Sequence, residues 1–259
     1  EGMPPMFIAS RNKVDLAELG SGYLLGGMDQ NAFVSTLRQL AKEEGYDGPL
    51  FICRDHGGPW QRNQELDSKL PVEEAMAIAR KSFRADLLAG FNYLHVDPTK
   101  CPLPHTEEDL ARWTVDLIAF CEDVRREAGL PAVDYEIGTE DIQGGHTTDY
   151  RFERLVQRVT EQLRARQLPP PVCVVGQTGT LTKLNRNEGG FHAETARHLV
   201  ALARRHGVGF KEHNTDYLDD FALAKHPDIG ISGANVAPEF GYVETSALLE
   251  MASFEAKAF

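Results

Sequence analysis

Three short polar clusters contain the residue types that bind cations and move protons. The first is Arg54-Asp55-His56-Gly57-Gly58-Pro59. There a carboxylate beside an imidazole can place one group on a metal and leave the other for proton transfer. The plain alternative is a turn in which Asp55 caps and the glycines supply positive φ. The second is Tyr135-Glu136-Ile137-Gly138-Thr139-Glu140-Asp141, followed by Gly144-Gly145-His146. Three carboxylates within six residues repel one another unless a cation or a proton intervenes. A solvated acidic loop is the alternative. Glu136 speaks against it because it lies inside a strand-like run, from which it can also point outward to a helix. The third is Lys211-Glu212-His213-Asn214-Thr215-Asp216-Tyr217. His213 is the natural second imidazole, while Thr215 or Asp216 can cap the helix expected next.

Two weaker signals accompany these. Gly176-Gln177-Thr178-Gly179 offers a glutamine oxygen able to ligate a metal or hold a sugar hydroxyl. His95 and Asp97 end another apolar run, where His95 is expected in the core or supporting the site from behind. His198, His206 and His226 lie on charged helical or loop stretches and are poorer candidates, as is His105 among prolines and acidic residues.

The elements that must position these clusters follow a repeating rhythm. Short β-rich runs occur at Met6–Ser10, Pro49–Cys53, Phe91–Val96, Val133–Ile137, Val172–Val175, Gly207–Phe210 and Asp228–Ile231. Helical patterns separate them, among them Asp29–Glu44 with Phe33, Leu37 and Leu40 on one face. Val72–Leu88, Glu107–Ala128, Asp149–Gln167, Gly190–His206 and Thr215–Lys225 complete the series. Strand alternating with helix predicts a parallel sheet, because a parallel crossover is long enough to hold a helix. No glycine-rich dinucleotide fingerprint follows a strand, which argues against a Rossmann fold. The polar clusters sit instead at the carboxyl ends of the strands, which converge on one mouth in a (β/α)8 TIM-type barrel. Seven strands are visible, so either the first strand and helix of the barrel are expected to be missing from this sequence or the barrel is expected to be incomplete. Residues 1–259 are expected to form a single barrel domain.

Composition narrows the partners. The formal charge of −12 repels a nucleic-acid backbone, and the Arg125-Arg126 and Arg204-Arg205 pairs read as solvated helix faces. The longest apolar runs are far too short to span a membrane. Cys53, Cys101, Cys121 and Cys173 form no CxxC pair, and Met3–Ile8 does not resemble a signal peptide, so a cytoplasmic setting is expected.

From about Phe7 to Glu250 the chain resembles the tagatose-bisphosphate aldolase accessory-subunit family, related to class II zinc aldolases and ketose 4-epimerases. The markers are Asp55-His56-Gly57-Gly58-Pro59, His95-Val96-Asp97, Ile137-Gly138-Thr139-Glu140, Val174 to Gln177, and Glu212-His213-Asn214-Thr215-Asp216-Tyr217. The resemblance implies a divalent metal, zinc first, with manganese, cobalt or nickel as other fits. It implies His56 and His213 as ligands, Glu140 as the carboxylate ligand, and Gln177 where catalytic relatives have a third histidine. It also implies Asp55 as the proton-transfer group. Glu136, Asp97 and Asp141 are further catalytic candidates from their own chemistry, and Glu136 is the fallback ligand if the strand register is shifted. Arg54, His95, Lys211, Asn214, Ser232 and Asn235 are the expected substrate-binding residues. One departure concerns the loop from Ser232 to Gly241, where Glu239 would repel a phosphate, so this loop is not expected to be a strong phosphate site.

The expected function is a metal-dependent epimerase or aldolase acting on a ketose or ketose phosphate through a metal-bound enediolate. C4 epimerisation by retro-aldol and aldol steps is the first choice. A non-catalytic subunit that stabilises an aldolase is the alternative from another class, and a metal-dependent sugar isomerase is the third. The expected partners are a small-molecule sugar or sugar phosphate and either further copies of the chain in a homo-oligomer or an aldolase partner subunit.

Overall fold

In the computed structural model, residues 4–20, 22–139 and 149–258 are described. The chain runs β1 (Met6–Ser10), α1 (Gln30–Glu43), β2 (Phe51–Gly57), α2 (Asn63–Asp67), α3 (Val72–Ala89), β3 (Tyr93–Val96), α4 (Glu107–Glu127), β4 (Asp134–Ile137) and α5 (Asp149–Ala165). It continues β5 (Cys173–Gly176), β6 (Thr182–Lys183), β7 (Arg186–Asn187), α6 (Ala193–Arg205), β8 (Gly209–Glu212), α7 (Asp220–Ile229), β9 (Gly233–Ala234) and α8 (Pro238–Ala258). Seven strands form one sheet in the order β1-β2-β3-β4-β5-β8-β9, and every pairing in it is parallel. β6 and β7 form a separate antiparallel hairpin.

The sheet curls. Asn235, just past β9, places its amide 3.3 Å from Asp55 on β2, although four strands lie between them in the sheet. No pairing joins β1 to β9 among the described residues, so the sheet is an open barrel with helices around it rather than a closed eight-stranded one.

Strand parity divides the side chains between two environments. Outward residues face the helices: Arg54 meets Asp86 on α3, Tyr135 meets Glu122 on α4, and the Phe210 ring lies 6.1 Å from that of Phe152 on α5. These positions join the main hydrophobic cluster, with Ile52, Leu94, Ile137 and Val174 against Phe83, Leu87, Leu117 and Val156. Inward residues are largely polar. Tyr93, Glu136 and Lys211 meet inside the curl, where Tyr93 Oη donates to Glu136 at 2.7 Å and Lys211 Nζ lies 2.9 Å from it.

Local signals place several helix ends. Asp29 caps α1 by accepting from the Ala32 amide at 2.8 Å. Thr106 and Asp109 form a capping box on α4, whose first turn is acidic and last turn basic, matching the helix dipole. Two expectations fail near the C-terminus. Asp228–Ile231 is not a strand: α7 runs through Pro227 to Ile229 and ends on Gly230 in the left-handed region, and the strand is Gly233–Ala234. The buried Ile229 anchors a helix face there, although its short apolar spacing mimics strand alternation. Neither Thr215 nor Asp216 caps α7. Asp219 does so, accepting from Ala222 at 2.7 Å, and Asp216 serves α8 instead.

Candidate functional site

β2 carries the first cluster within the strand rather than after it. Its register with β3 shifts between Arg54 and Gly57, and His56 sits at φ 43°, a conformation that is strained for a residue with a side chain. The irregularity lets both Asp55 and His56 face the mouth. Two glycines make the close approach possible. A Cβ on Gly57 would lie 2.7 Å from the His95 carbonyl oxygen, and one on Gly58 would lie 2.8 Å from that of Asp97. Gly58 also adopts φ +124°.

The result is a ring of three imidazoles. The centroids of His56 and His95 are 5.1 Å apart, those of His56 and His213 4.9 Å, and those of His95 and His213 5.4 Å. Carboxylates surround the ring. Asp97 Oδ2 is 3.1 Å from His56 Nδ1, Asp55 Oδ1 is 3.9 Å from His56 Nε2, and Glu136 Oε1 is 3.3 Å from His95 Nδ1 and 3.6 Å from His213 Nε2. Asp55, His56 and His213 bring ligand atoms within 4.8 Å of one another, as do His56, His95 and Asp97, and His95, Glu136 and His213.

Burial and these neighbours set the protonation states. Burial raises the Asp55 carboxyl, but the imidazoles of His56, His213 and His95, with Lys211, outweigh it and hold the group at about 2. Burial lowers His95 to about 4 despite Glu136 and Asp97, so its ring is neutral near pH 7. Burial likewise opposes ionisation of Glu136, yet His95 and Lys211 keep it well below the usual carboxylate range. Neutral imidazoles and ionised carboxylates are the forms that bind metals. His95 Nε2 is buried with no hydrogen-bond partner among the described residues, an arrangement that a cation would satisfy. The donor chemistry therefore fits a divalent metal of the zinc, manganese, cobalt or nickel type.

The other candidates fall in varied places. Arg54 is fully buried on the helix side, bound through two nitrogens to Asp86 and through Nη1 to the carbonyls of Ala9 and Val14. It braces the sheet away from the mouth, because its parity is opposite to that of Asp55. Lys211 lies inside the curl, paired to Glu136 and over the Tyr93 ring, rather than lining the cavity. Ser232 is exposed at the opposite end of the barrel, since its amide donates to Phe210 and its hydroxyl lies beside Gly209. Asn214 and Asn235 do line a cavity of about 270 Å³ together with Asp55, His56 and His213. Gln177 follows β5 and is half-buried. Glu140 and Asp141 lie outside the described residues.

His95 is the residue that sequence reasoning undervalued. Its signal was parity with Tyr93 and Asp97, which puts all three on the inner face, whereas its apolar neighbours Leu94 and Val96 face out. The β6–β7 hairpin was also missed. It stands at the rim, with Thr182 lining the cavity and Asn187 Nδ2 donating to the carbonyls of Asn214 and Asp216 at 2.9 and 3.0 Å.

A curled parallel sheet with a histidine–carboxylate cluster at its carboxyl-end mouth defines an α/β barrel-type protein with a site suited to metal-assisted chemistry. The family model for D-tagatose-1,6-bisphosphate aldolase subunit GatZ/KbaZ-like proteins matches residues 6–259, and the chain belongs to that family. A D-tagatose 6-phosphate 4-epimerase from Agrobacterium fabrum (strain C58 / ATCC 33970) is 28% identical over 256 residues, covering 88% of this chain and 58% of that protein. Among solved structures, a probable tagatose 6 phosphate kinase from Sinorhizobium meliloti 1021 superposes with a TM-score of 0.76 at 25% identity, over 93% of this chain and 60% of that one. The YdjI aldolase from Escherichia coli K12 matches with a TM-score of 0.57 at 15% identity, over 95% of this chain and 71% of that one, a likeness of fold alone. This chain thus spans somewhat under two thirds of the length of the curated relative, 58% of it. None of the helices among the described residues is long and apolar enough to cross a membrane.

Proposed function

We propose that this chain is a metal-dependent epimerase or aldolase acting on a ketose or ketose phosphate, with C4 epimerisation as the first choice. One observation carries the reading: His56, His95 and His213 meet at the mouth with Asp55 and Asp97 beside them. The three imidazoles would hold the cation, with Glu136 as the adjacent carboxylate. Glu140 and Gln177 are kept as further candidate ligands. When bound, the ion would polarise the ketone and its neighbouring hydroxyl as a Lewis acid.

The chain's own residues would do the rest. Asp55 is ionised, lines the cavity and is held by the Asn235 amide at 3.3 Å, so it is placed to take a hydroxyl proton. As the C4 hydroxyl gives its proton to Asp55, the C3–C4 bond breaks and its electron pair moves toward the C2 carbonyl. The C4 aldehyde turns its other face, the bond re-forms, and Asp55 returns the proton with C4 inverted. Release of the aldehyde instead would make the same site an aldolase. Asp97 orients the His56 ring through Nδ1 rather than touching substrate.

The test replaces His56 and His213 singly with alanine and measures bound metal and ketose turnover. Loss of both quantities is expected, and full retention of both in each variant would remove the site assignment and the mechanism. A second reading follows from the family's description as an aldolase subunit: the chain would stabilise a catalytic partner. Turnover of a ketose by the isolated chain separates the two.

A further inference from the structure

Two layers of side chains stack inside the curl below the mouth. β3 carries Tyr93 and, two residues on, His95, so both face inward. β8 carries Lys211, and His213 follows two residues later on the same side. The upper layer therefore holds His95 and His213, and the lower one Tyr93 and Lys211. Glu136 on β4 pairs in register with His95 and reaches both layers. Its Oε1 faces the upper layer, 3.3 Å from His95 Nδ1 and 3.6 Å from His213 Nε2, and no aligned hydrogen-bond donor meets it among the described residues. Its Oε2 faces the lower layer, where Tyr93 Oη donates at 2.7 Å and Lys211 Nζ lies 2.9 Å away.

The lower layer holds that oxygen firmly. Glu136 is fully buried, and Tyr93 and Lys211 are each 6% exposed. The Lys211 ammonium lies 5.3 Å from the centroid of the Tyr93 ring, so the three groups brace one another. A carboxylate can bind a cation through one oxygen or through both. Turning Oε2 of Glu136 toward the imidazoles would strip Lys211 of its partner and leave an ammonium buried and unpaired, a costly state. Lys211 also balances charge. Asp55, Asp97 and Glu136 bring three negative charges to the imidazoles, one more than a divalent cation neutralises, and the ammonium beside Glu136 offsets the third.

We infer that Lys211 and Tyr93 are positioning residues that set the metal selectivity of the site: by holding Oε2 they restrict Glu136 to a single donor oxygen. Three imidazoles and one carboxylate oxygen favour a four-coordinate, nitrogen-rich ion such as zinc or cobalt(II). Manganese, which prefers higher coordination rich in oxygen, gains least from such a set. This inference rests on the metal reading of the site given above and on nothing about the sugar. It separates ions that the donor types alone leave together.

The experiment is chelator competition on the full chain with zinc and with manganese, for wild type, Tyr93→Phe and Lys211→Met. Each variant removes one hold on Oε2 and keeps most of the side chain's volume. Lys211→Met should narrow the ratio of zinc to manganese affinity by roughly tenfold, and Tyr93→Phe by about threefold. The cobalt(II) form reports the geometry: its visible absorption is intense when the ion is four-coordinate and weakens as a further oxygen binds, so it should fall in both variants. A purely structural role would weaken both ions alike and leave the ratio and the spectrum where they were. That result in folded variants overturns the inference. Tyr93→Phe keeps the ion pair and the ring packing, so it decides the matter should Lys211→Met fail to fold by circular dichroism. If the wild type binds none of the three ions, the metal reading itself falls, whereas metal binding with an unchanged ratio in the variants removes only the role of Lys211 and Tyr93.

Discussion

Replacing Asp97 by asparagine changes one oxygen into an NH2 group in a place where both oxygens are used. Oδ2 faces His56 Nδ1 at 3.1 Å, and Oδ1 accepts from the Thr99 amide at 2.9 Å. Whichever way the new amide turns, it forces a donor on one side to give up or change its role. If its NH2 faces His56, Nδ1 must become the acceptor, the ring proton moves to Nε2, and that nitrogen is lost as a ligand. If the NH2 faces Thr99, it opposes the Thr99 N–H, and only the Thr99 hydroxyl can turn to accept from it. Relaxation is restricted because Asp97 is fully buried and a Cβ on the neighbouring Gly138 would already lie 2.5 Å from its Oδ1. Loss of a group that orients a ligating histidine costs about 10–100-fold in metal affinity, roughly 1.4–2.8 kcal/mol. A chelator competition with zinc, read as the dissociation constant for wild type and Asp97→Asn, measures this directly. An affinity within about threefold of wild type, with the fold retained, would refute the orienting role of Asp97 and the assignment of His56 as a ligand through Nε2.

Other predictions follow from the same geometry. Arg54→Met should leave Asp86 buried without its partner and cost about 3–5 kcal/mol in urea unfolding, a loss that Asp86→Leu in the same chain should partly restore. Gly58→Ala should destabilise by about 1–3 kcal/mol, because φ is +124° and the new Cβ meets the Asp97 carbonyl; thermal unfolding reads it. The metal-free protein should lose stability as pH falls from 6.5 toward 4. His95, lowered to about 4 from 6.5, binds fewer protons when folded than when unfolded across that window, so stability rises with pH through it. Asp55, lowered from 3.8 to about 2, extends the loss to more acid pH. Denaturation midpoints measured across this range for wild type and His95→Gln should show a shallower slope for the variant.

How far the sequence carries can be judged at particular residues. His56 and His213 were legible because each follows a β-rich run and precedes glycines or a helix signal, and the curled parallel sheet brings them together. Asp55 was legible for the same reason. His95 was not given its weight because apolar neighbours suggest a core position, and only strand parity shows that the apolar and polar residues face opposite ways. Arg54 was misplaced by the same ambiguity in reverse: its adjacency to Asp55 suggested the mouth, but one step along a strand turns a side chain to the other face. Asp216 was a candidate cap for a role that Asp219 fills, because two acidic residues three apart can each cap a following helix, and local sequence does not say that α7 begins only at Asp220. Ser232 was assigned by proximity to a loop, although Gly233–Ala234 carries the chain up the barrel before the mouth is reached.

The segregation of side chains by strand parity has a consequence for how such a protein can change over time. The main hydrophobic cluster is built from outward residues and helices, and inward Cys53, Tyr93, Cys173 and Val175 are absent from it although all are buried. Mutations at the lumen therefore act on one set of contacts and those in the outer shell on another. Selection can explore new chemistry on the lumen side with less risk to foldedness, while the shell drifts under its own packing and ion-pair constraints. A scaffold partitioned in this way separates innovation from robustness.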